Sequence, residues 1–418
     1  MWKPIAANHI SEYLEAIEGC DSFFVADRPD GTKIINYHYA FSETFPSIVG
    51  VTDEKEIRKA LLRRDCRGII FDAKTGLVIR KPFHKFFNLG ERPDTNIHAY
   101  SLDEDHTIYE KLDGSMIAPY FNPAGKLIMG TKMGETEISE QVKAWLDKKS
   151  TTDYVMFIHE CLLHGYTPIF EWCSPYNRIV LGYKEENLHL TAIRNMITGV
   201  YETRESVRIG AEKYNVTVCP IIPKVRFTES FHKWAKEQDQ QEGYVVCFDG
   251  NKVKIKNDWY CKLHRVKSDM SFERGVVSLI LEEKIDDFKS LLLADDLAKL
   301  NSYEDAFMKA YKEALFDLNS AISRIVHENL SRKDFALTVM PNYPKFISTI
   351  IFQLWDMIVS EEEIDQKSLG HYTNEALIDM ILHNCNKNVR FDEFKQSSGI
   401  FKNVPEWRPK YVAGMDEE

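Results

Sequence analysis

The sequence predicts an α+β protein in which an antiparallel-rich domain is followed by an all-helical domain. Up to about residue 268, short β-type runs alternate with turns and a few helices, unlike the regular βαβα alternation of a parallel sheet. After about Ser271 glycine nearly disappears, and apolar residues recur every three or four positions from Phe307 to Ile325, as on one helix face. A chain of 418 residues is long enough for two or three domains. We therefore divide it into residues 1–268, a helical domain at 269–390 and a C-terminal tail at 391–418.

Turn residues delimit the strands of the first domain. Asp30-Gly31 separates two β-type runs and predicts a hairpin, and Lys74-Thr75-Gly76 predicts a second one. A helix is predicted from Glu135 to Lys148. The further predicted strands are Pro168–Trp172, Asn177–Leu181, Glu242–Phe248 and Lys252–Lys256. Between the hairpins and these strands, a β-type run from Ile108 to Phe121 contains Lys111-Leu112-Asp113-Gly114, and the turn Asn122-Pro123-Ala124-Gly125 leads back into residues 126–132.

Helical periodicity organises the second domain. The stripe that ends at Ile325 is followed by Met340-Pro341-Asn342-Tyr343-Pro344, and proline breaks a helix. Two more helices are predicted at Lys345–Val359 and Asn374–Asn384. Residues 391–418 contain two prolines and end in acidic residues, which predicts a loosely packed tail.

Composition excludes several classes of protein. Hydrophobic residues make up 44% and charged residues 28%, as in ordinary globular proteins, and no apolar stretch is long enough to cross a bilayer. The eight cysteines include no Cys-x-x-Cys pair, which argues against a zinc site or a disulfide framework. Because the N-terminus also lacks the features of a signal peptide, we expect a cytoplasmic protein with no membrane partner.

Positive charge is concentrated locally, although the net charge is −11. That net charge argues against a protein that coats nucleic acid without specificity. Between Lys252 and Lys267, however, six Lys and Arg residues stand against one acid, Asp258. A second basic cluster consists of Arg58, Lys59, Arg63 and Arg64. A local cationic channel in an acidic protein suits a phosphate-bearing substrate.

The pattern Lys111-Leu112-Asp113-Gly114 is the candidate reactive centre. It places a primary amine at the end of a β-type run, beside a glycine that lets a phosphate approach closely. If neighbouring cations keep that amine neutral, it can attack the α-phosphorus of a nucleoside triphosphate and form a lysyl–nucleotide phosphoramide. The same pattern is also that of an ordinary hairpin turn with an exposed lysine.

Two lysines provide the candidate cations. Lys254 and Lys256 stand two residues apart, so on a strand both side chains point to the same face. Two cations on one face are costly unless an anion such as a triphosphate lies there, and like-charge repulsion would favour a neutral Lys111. The alternative is a strand face that is simply solvated.

Two carboxylates and two further cations complete the candidate site. Glu171 and Glu242 lie in strongly apolar strands, where a carboxylate must be paired or bound to a metal. They would hold ribose hydroxyls and a hydrated magnesium ion, or else begin a strand at the surface or pair with a nearby lysine. Arg67 and Lys85 would donate to the leaving pyrophosphate, or else are surface cations. The sequence contains neither a P-loop nor a Gly-x-Gly-x-x-Gly motif.

The order of these motifs resembles that of the covalent nucleotidyltransferases, which are RNA ligases, DNA ligases and mRNA capping enzymes. From about Phe23 to about residue 385 the details resemble the RNA ligase 1 family of T-even bacteriophages. After Lys256 the sequence turns helical, which also resembles that family, whereas DNA ligases and capping enzymes continue into an OB-type barrel. The chain departs from the family at residues 151–165 and by a longer C-terminal end. The stretches that carry the resemblance are Cys66-Arg67-Gly68-Ile69, Lys85-Phe86-Phe87-Asn88, Glu171-Trp172-x-Ser174-Pro175-x-Asn177-Arg178-Ile179-Val180, Glu242-Gly243-Tyr244-Val245 and Lys256-x-Asp258-Trp259-Tyr260-x-x-Leu263-His264.

The resemblance implies an ATP-dependent RNA ligase that joins 5′-phosphate and 3′-hydroxyl ends of single-stranded RNA. Lys111 would carry AMP, which passes to the RNA 5′-phosphate before the 3′-hydroxyl displaces it. ATP would be the co-substrate, with Mg²⁺ or Mn²⁺ as the metal. Nicked tRNA is the expected RNA, prepared by a separate end-healing polynucleotide kinase-phosphatase. The expected location is the cytoplasm of a phage-infected bacterium, and residues 1–268 would be an adenylation domain beside a helical tRNA-specificity domain.

The resemblance also assigns roles to residues. Tyr260 matches a position needed for the RNA steps, and Lys132 matches one near the adenylate. Asp286-Asp287 match a metal-binding acidic pair, or else form a solvated helix face. The expected catalytic residues are Lys111, Glu171, Lys254, Lys256 and Tyr260. The expected nucleotide-binding residues are Tyr37, Arg67, Lys85, Lys111, Gly114, Lys132, Glu171, Glu242, Lys254 and Lys256, and the expected metal ligands are Asp286, Asp287, Glu171 and Glu242.

Two other functions remain open at this point. The first is a related nucleotidyltransferase, such as a DNA ligase or a capping-type enzyme that uses GTP. The second is a non-catalytic tRNA-binding protein, which would bind RNA without forming a nucleotide adduct. The identity of the nucleotide that labels the protein separates these alternatives.

Overall fold

The structure of the chain, a computed structural model, contains two compact units, Met1–His264 and Arg265–Ala413. It describes residues 2–407 except 39, 41–42, 101–104, 149–150, 178, 249–250, 290–293 and 360–365. The first unit combines antiparallel sheets with helices and the described part of the second is helical, which confirms the predicted α+β class. Within the described ranges, no helix is both long enough and apolar enough to cross a bilayer.

Three antiparallel sheets build the first unit. The strands are β1 (Phe23–Asp27), β2 (Thr32–Tyr37), β3 (Ile69–Asp72), β4 (Val78–Arg80), β5 (His106–Lys111), β6 (Ser115–Phe121), β7 (Leu127–Gly130), β8 (Tyr166–Cys173), β9 (Asn187–Asn195), β10 (Gly243–Phe248) and β11 (Asn251–Lys256). Their orders are β1-β2-β3-β4, β11-β10-β5 and β7-β6-β8-β9. All pairs of neighbouring strands are antiparallel.

Helices of the first unit begin at capping residues that the sequence supplies. The Asp53 side chain accepts hydrogen bonds from the amides of Lys55 and Glu56, so it satisfies free donors at the start of a helix. Basic residues in the last turn of that helix interact favourably with the negative end of the helix dipole. The helices are α1 (Ile10–Ile17), α2 (Glu54–Asp65), α3 (Glu137–Leu146), α4 (Thr152–Leu163), α5 (Arg204–Glu212) and α6 (Glu229–Glu237). Another helix, α7 (Asp258–Met270), follows β11 directly.

Both predicted hairpins are present. In the first, Phe23 pairs with Tyr37, and Gly31 in the turn has a φ of +80°, which glycine adopts without strain. The second joins β3 to β4. The strand predicted at Asn177–Leu181 is wrong, since its described residues form turns and bends.

The described part of the second unit is built from helices around one hydrophobic core. A 34-residue helix buries Phe307, Leu318 and Ile325 along one face, as the apolar stripe predicted. The helices are α8 (Glu273–Leu281), α9 (Asp286–Lys289), α10 (Ala294–His327), α11 (Arg332–Asp334), α12 (Lys345–Gln353), α13 (Trp355–Ile358), α14 (Gln366–Cys385) and α15 (Asn388–Ser398). Short turns of other helix types lie at Phe335–Val339, Met340–Asn342 and Ile400–Asn403.

The prediction of a loosely packed tail from residue 391 is wrong up to residue 407. Helix α15 runs to Ser398, and Phe391, Phe401 and Trp407 are buried in the core of the second unit. The indole Nε1 of Trp407 donates a hydrogen bond of 2.6 Å to the carbonyl of Met270. These aromatic side chains bury enough apolar surface to hold the segment in place. Residues 408–418 lie outside the described residues.

Candidate active site

A cleft of about 380 Å³ lies in the first unit, and residues from all three sheets line it. Tyr37 comes from the first sheet, Lys111 from β5, and Glu171 from β8. Seven basic residues line the cleft beside five acidic ones, Glu91, Glu110, Asp113, Glu171 and Glu242, so the lining carries an excess of positive charge although the chain as a whole is acidic. The cationic residues that line it are Arg67, Lys85, Lys111, Lys132, Lys252, Lys254 and Lys256.

The sheet β11-β10-β5 places Lys111 and Lys256 on either side of one residue. Lys111 ends β5 and pairs with Gly243 at the start of β10, which pairs on its other edge with Lys256. The neighbouring carboxylate of Glu242 contacts both amines: Oε1 lies 2.6 Å from Nζ of Lys111 and 3.4 Å from Nζ of Lys256. Glu242 is only 3% exposed, so these ion pairs provide the compensation that a buried carboxylate needs.

Gly243 has a backbone that only glycine adopts easily. Its φ is +143°, and a Cβ atom there would lie 2.0 Å from the carbonyl oxygen of Ile255. Glycine therefore lets β10 and β11 approach closely between the two lysines. In the motif Glu242-Gly243, the glycine allows the close approach of the two strands, and the glutamate supplies the carboxylate that contacts both lysines.

Lys254 is a buried lysine that lies among other cations of the cleft. Burial, together with the charges of Lys85, Lys111 and Lys256, lowers the pKa of Lys254 to about 7. Its Nζ lies 5.6 Å from the centre of the Phe86 ring. An anion bound in the cleft would relieve this repulsion and favour the charged amine.

A second group of cations surrounds Tyr37 at the end of β2. Nζ of Lys132 lies 4.7 Å and Nζ of Lys85 5.5 Å from the centre of its ring. Burial alone would raise the pKa of Tyr37, but Arg67, Lys85 and Lys132 outweigh burial and hold it below its usual value. Tyr37 thus places a phenol with a lowered pKa beside the cations that would bind an anion.

Glu171 has the electrostatic character of a ligand for a cation. Burial raises the pKa of Glu171 to about 8; Lys111 opposes this shift and Glu242 adds to it. A divalent cation would compensate the buried Glu171 carboxylate, and Glu242, which pairs with Lys111 and Lys256 in the free protein, offers a second carboxylate of the kind that Mg²⁺ prefers. Among the described residues, no group of three or more His, Cys, Asp or Glu side chains forms a ready metal site.

Gly114 serves chain packing as well as access to the cleft. A Cβ atom at Gly114 would lie 2.3 Å from the carbonyl oxygen of Trp172 and 3.1 Å from Cγ of Glu171. The missing side chain therefore lets β8 approach the loop after Lys111. This contact carries the Glu171 side chain to the neighbourhood of the lysine.

Sequence reasoning missed the role of Asp113, which is only 1% exposed. Its Oδ2 accepts hydrogen bonds from the amides of Val180 and Leu181, at 2.7 and 2.6 Å. Its Oδ1 accepts a hydrogen bond of 2.6 Å from the hydroxyl of Tyr260. Asp113 thus ties the loop of the reactive lysine to two segments that follow it by many residues. Tyr260 is itself 2% exposed, so its side chain supports this loop from inside the fold.

The predicted acidic pair Asp286-Asp287 belongs to the second unit, and Asp286 is not among the residues that line the cleft. The carboxylate of Asp286 is exposed, with Oδ1 2.8 Å from Nζ of Lys289, and the side chain of Asp287 lies outside the described residues. The metal site predicted for this pair stays a prediction.

Three arginines of the basic cluster on α2 have partners within the first unit. Arg58 contacts Glu12 at 2.5 Å, and Arg64 contacts the buried Asp94 at 2.6 Å. Arg63 donates to the carbonyl of Ala16. These cations are therefore used in holding α2 to its neighbours.

The segment that supplies most of the cleft lining is similar to known RNA ligases. Residues 65–260 match the family model described as RNA ligase. A putative RNA ligase of Thermovibrio ammonificans is 31% identical over 264 residues, which cover 61% of this chain and 63% of that protein. RNA ligase 1 of bacteriophage TS2126 is 24% identical over 332 residues, covering 75% of this chain and 77% of that one.

A third relative is larger than this chain. The putative bifunctional polynucleotide kinase/RNA ligase of Autographa californica nuclear polyhedrosis virus is 27% identical over 260 residues, which cover 54% of this chain and 34% of that protein. The chain therefore spans less than two thirds of the length of the Thermovibrio and baculovirus relatives. The segment that is similar to RNA ligases contains Lys111, Glu171, Glu242, Lys254 and Lys256, so most of the cleft lining lies within it.

Proposed function

We propose that the chain is an ATP-dependent RNA ligase that joins 5′-phosphate and 3′-hydroxyl ends of single-stranded RNA. The observation that carries this proposal is the amine of Lys111 at a strand end, inside a cleft lined by six other cations. A cleft with this charge suits the triphosphate of a nucleotide and the phosphate of an RNA end. The similarity of residues 65–260 to RNA ligases supports RNA as the polymer.

In the first step, the amine of Lys111 attacks the α-phosphorus of ATP. The amine loses a proton, a nitrogen–phosphorus bond forms, and the bond to pyrophosphate breaks. Glu242, 2.6 Å from the amine in the free protein, orients it and releases it when the nucleotide enters. Gly114 keeps the approach to the phosphate open.

The cations of the cleft neutralise the phosphates. A bound phosphate stabilises the charged form of Lys254, whose pKa is lowered in the free protein. Lys256 lies beside Lys254 on the same face of the strand. Arg67 and Lys85, with Tyr37, bind the leaving pyrophosphate, where negative charge grows in the transition state. Glu171 and Glu242 would hold Mg²⁺ or Mn²⁺ and ribose hydroxyls, and the metal would supply further neutralisation of phosphate charge. Lys132 lies near the adenylate.

In the second and third steps, AMP moves from Lys111 to the RNA 5′-phosphate, and the RNA 3′-hydroxyl then displaces AMP. Tyr260 acts in these steps through Asp113. The Tyr260 hydroxyl donates a hydrogen bond to the Asp113 carboxylate and so holds the lysine loop, residues 111–114, in place. The lysine loop must keep its shape after nucleotide transfer if the same cleft is to hold the adenylylated RNA.

The proposed substrate is nicked tRNA, with the helical unit as its specificity domain and Asp286-Asp287 as its metal-binding pair. A ligase of this type needs ends that carry a 5′-phosphate and a 3′-hydroxyl, so a separate kinase-phosphatase would prepare them. The baculovirus relative is a putative bifunctional polynucleotide kinase/RNA ligase, which supports the pairing of a kinase with a ligase.

The experiment that tests the function uses a 5′-phosphorylated linear RNA with magnesium and either ATP or GTP. The proposal expects circular or joined RNA with ATP and none with GTP or with an equivalent DNA. Joining of the DNA would move the protein to the DNA ligase branch, and a covalent label on the protein from GTP but not from ATP would move it to the capping branch. RNA binding without joining, under any of these conditions, would favour the non-catalytic tRNA-binding alternative.

A further inference from the structure

Tyr176 is the most exposed large hydrophobic side chain among the described residues, at 80% exposure. It lies in the loop between β8 and β9, where Asn177 and Ile179 follow it. Ile179 lines the cleft, and three residues of chain reach at most about 11 Å. The Cα atom of Tyr176 therefore lies within about 11 Å of the Cα atom of a cleft-lining residue, and Tyr176 is not itself among the lining residues. We call this position the rim of the cleft.

The loop that carries Tyr176 is fixed to the lysine loop. The side-chain amide of Asn177 donates a hydrogen bond of 2.9 Å to Oγ of Ser115, the residue after Gly114. The backbone amide of Tyr176 itself donates to Oγ of Ser174 at 3.1 Å. Further along the loop, the backbone amides of Val180 and Leu181 donate hydrogen bonds to Asp113, and these bonds anchor the end of the loop. Hydrogen bonds on both sides of Tyr176 therefore hold the backbone that carries its exposed ring.

We propose that Tyr176 is a stacking platform for an unpaired base of the RNA whose end enters the cleft. Unpaired RNA bases are commonly recognised by stacking on exposed aromatic rings beside a cationic groove, and both elements are present here. The cationic lining draws the phosphates, and the ring at the rim meets the base of a neighbouring nucleotide. This proposal rests on the proposed RNA ligase function, and it adds a contact that no nucleotide-binding residue supplies.

The first test measures the dissociation constant of a 5′-phosphorylated single-stranded RNA of about ten nucleotides by fluorescence anisotropy. Loss of one stacked base costs about 1–3 kcal/mol, so Tyr176→Ala should weaken binding about 5- to 150-fold. Tyr176→Phe keeps the ring and should bind within about twofold of the wild type. Leu163→Ala, at a 75% exposed position of α4, is the matched control and should leave binding unchanged. Thermal unfolding of each variant checks that it is folded.

A second test locates the partner of the ring. In RNAs that each lack one base, a single abasic position should weaken wild-type binding as strongly as Tyr176→Ala does. At that position, Tyr176→Ala should cause no further loss, because the two changes remove the same contact.

Three results would overturn the proposal: unchanged binding in Tyr176→Ala, equal losses in Tyr176→Phe and Tyr176→Ala, or additive losses at every abasic position. Failure of the proposed function is distinguishable from these. It would appear as wild-type protein that binds the RNA but takes no label from ATP.

Discussion

Replacing Lys254 with methionine should stabilise the free protein while it removes nucleotide chemistry. Burial and the surrounding cations lower the pKa of Lys254 from 10.5 to about 7. At about 1.36 kcal/mol per pKa unit, the charge on this amine costs about 4 kcal/mol of folding free energy at pH 7. Methionine has a similar length and no charge. We expect a gain of about 1–4 kcal/mol, because lost polar contacts and partial solvation reduce the full value.

The sign of the pH dependence follows from the direction of the shift. A lysine whose pKa is lower in the folded than in the unfolded state destabilises the fold fully below the folded value. That cost disappears as the pH rises from about 7 towards 10.5. The advantage of Lys254→Met should therefore be largest at or below pH 7 and nearly absent at pH 10.

Urea unfolding at several pH values measures this difference, and label transfer from α-labelled ATP measures the chemistry. Lys143→Met, at a half-exposed position of α3, is the control and should change stability little. A Lys254→Met protein that is less stable than the wild type at pH 7 would refute the reasoning. A stability difference that stays constant with pH would refute it equally.

Two further changes test the described geometry. In Gly243→Ala, the new Cβ would lie 2.0 Å from the carbonyl oxygen of Ile255 at a φ of +143°, so β10 and β11 must separate. We expect destabilisation of about 2–4 kcal/mol in urea unfolding and loss of ATP labelling. In Asp65→Asn, the buried partner of Arg194 at 2.7 Å and Lys81 at 3.7 Å loses its charge. The expected destabilisation is about 3–5 kcal/mol, since two buried cations are left uncompensated.

Each of these changes has a matched control. Gly370→Ala adds a Cβ that meets no atom within 4 Å in α14, and should stabilise the protein by up to about 1 kcal/mol. Glu205→Gln removes an exposed partner of Arg208 and should change stability by less than about 1 kcal/mol. If either control matched its test variant in urea unfolding, the structural explanation for that variant would be wrong.

Much of the fold was predictable from local sequence signals. The hairpin at Asp30-Gly31 and the long helix around Phe307 both follow from turn residues and apolar spacing, and both are present. The strand predicted at Asn177–Leu181 is absent among the described residues of that segment, because a β-type composition does not indicate which distant residues will bond to the segment. Its amides bond to Asp113, which precedes them by more than sixty residues, in place of a neighbouring strand.

The site was predictable as a set of residues but not as a geometry. Motif spacing brought out Lys111, Glu171 and Lys254, and all three line one cleft. The contact between Asp113 and Tyr260 joins residues 147 positions apart, so no local pattern contains it. The same limit explains the C-terminal segment, where Trp407 finds its partner in Met270.

The central claim is that Lys111 carries AMP, and covalent labelling tests it most directly. The protein is incubated with magnesium and ATP labelled at the α-phosphate, separated by denaturing electrophoresis, and mapped by peptide mass. We expect a labelled band whose modified peptide contains Lys111, absent in Lys111→Ala and retained in Lys126→Ala, which changes an exposed lysine of the first unit. A label that persists in folded Lys111→Ala, or no label in the folded wild type, would contradict the account.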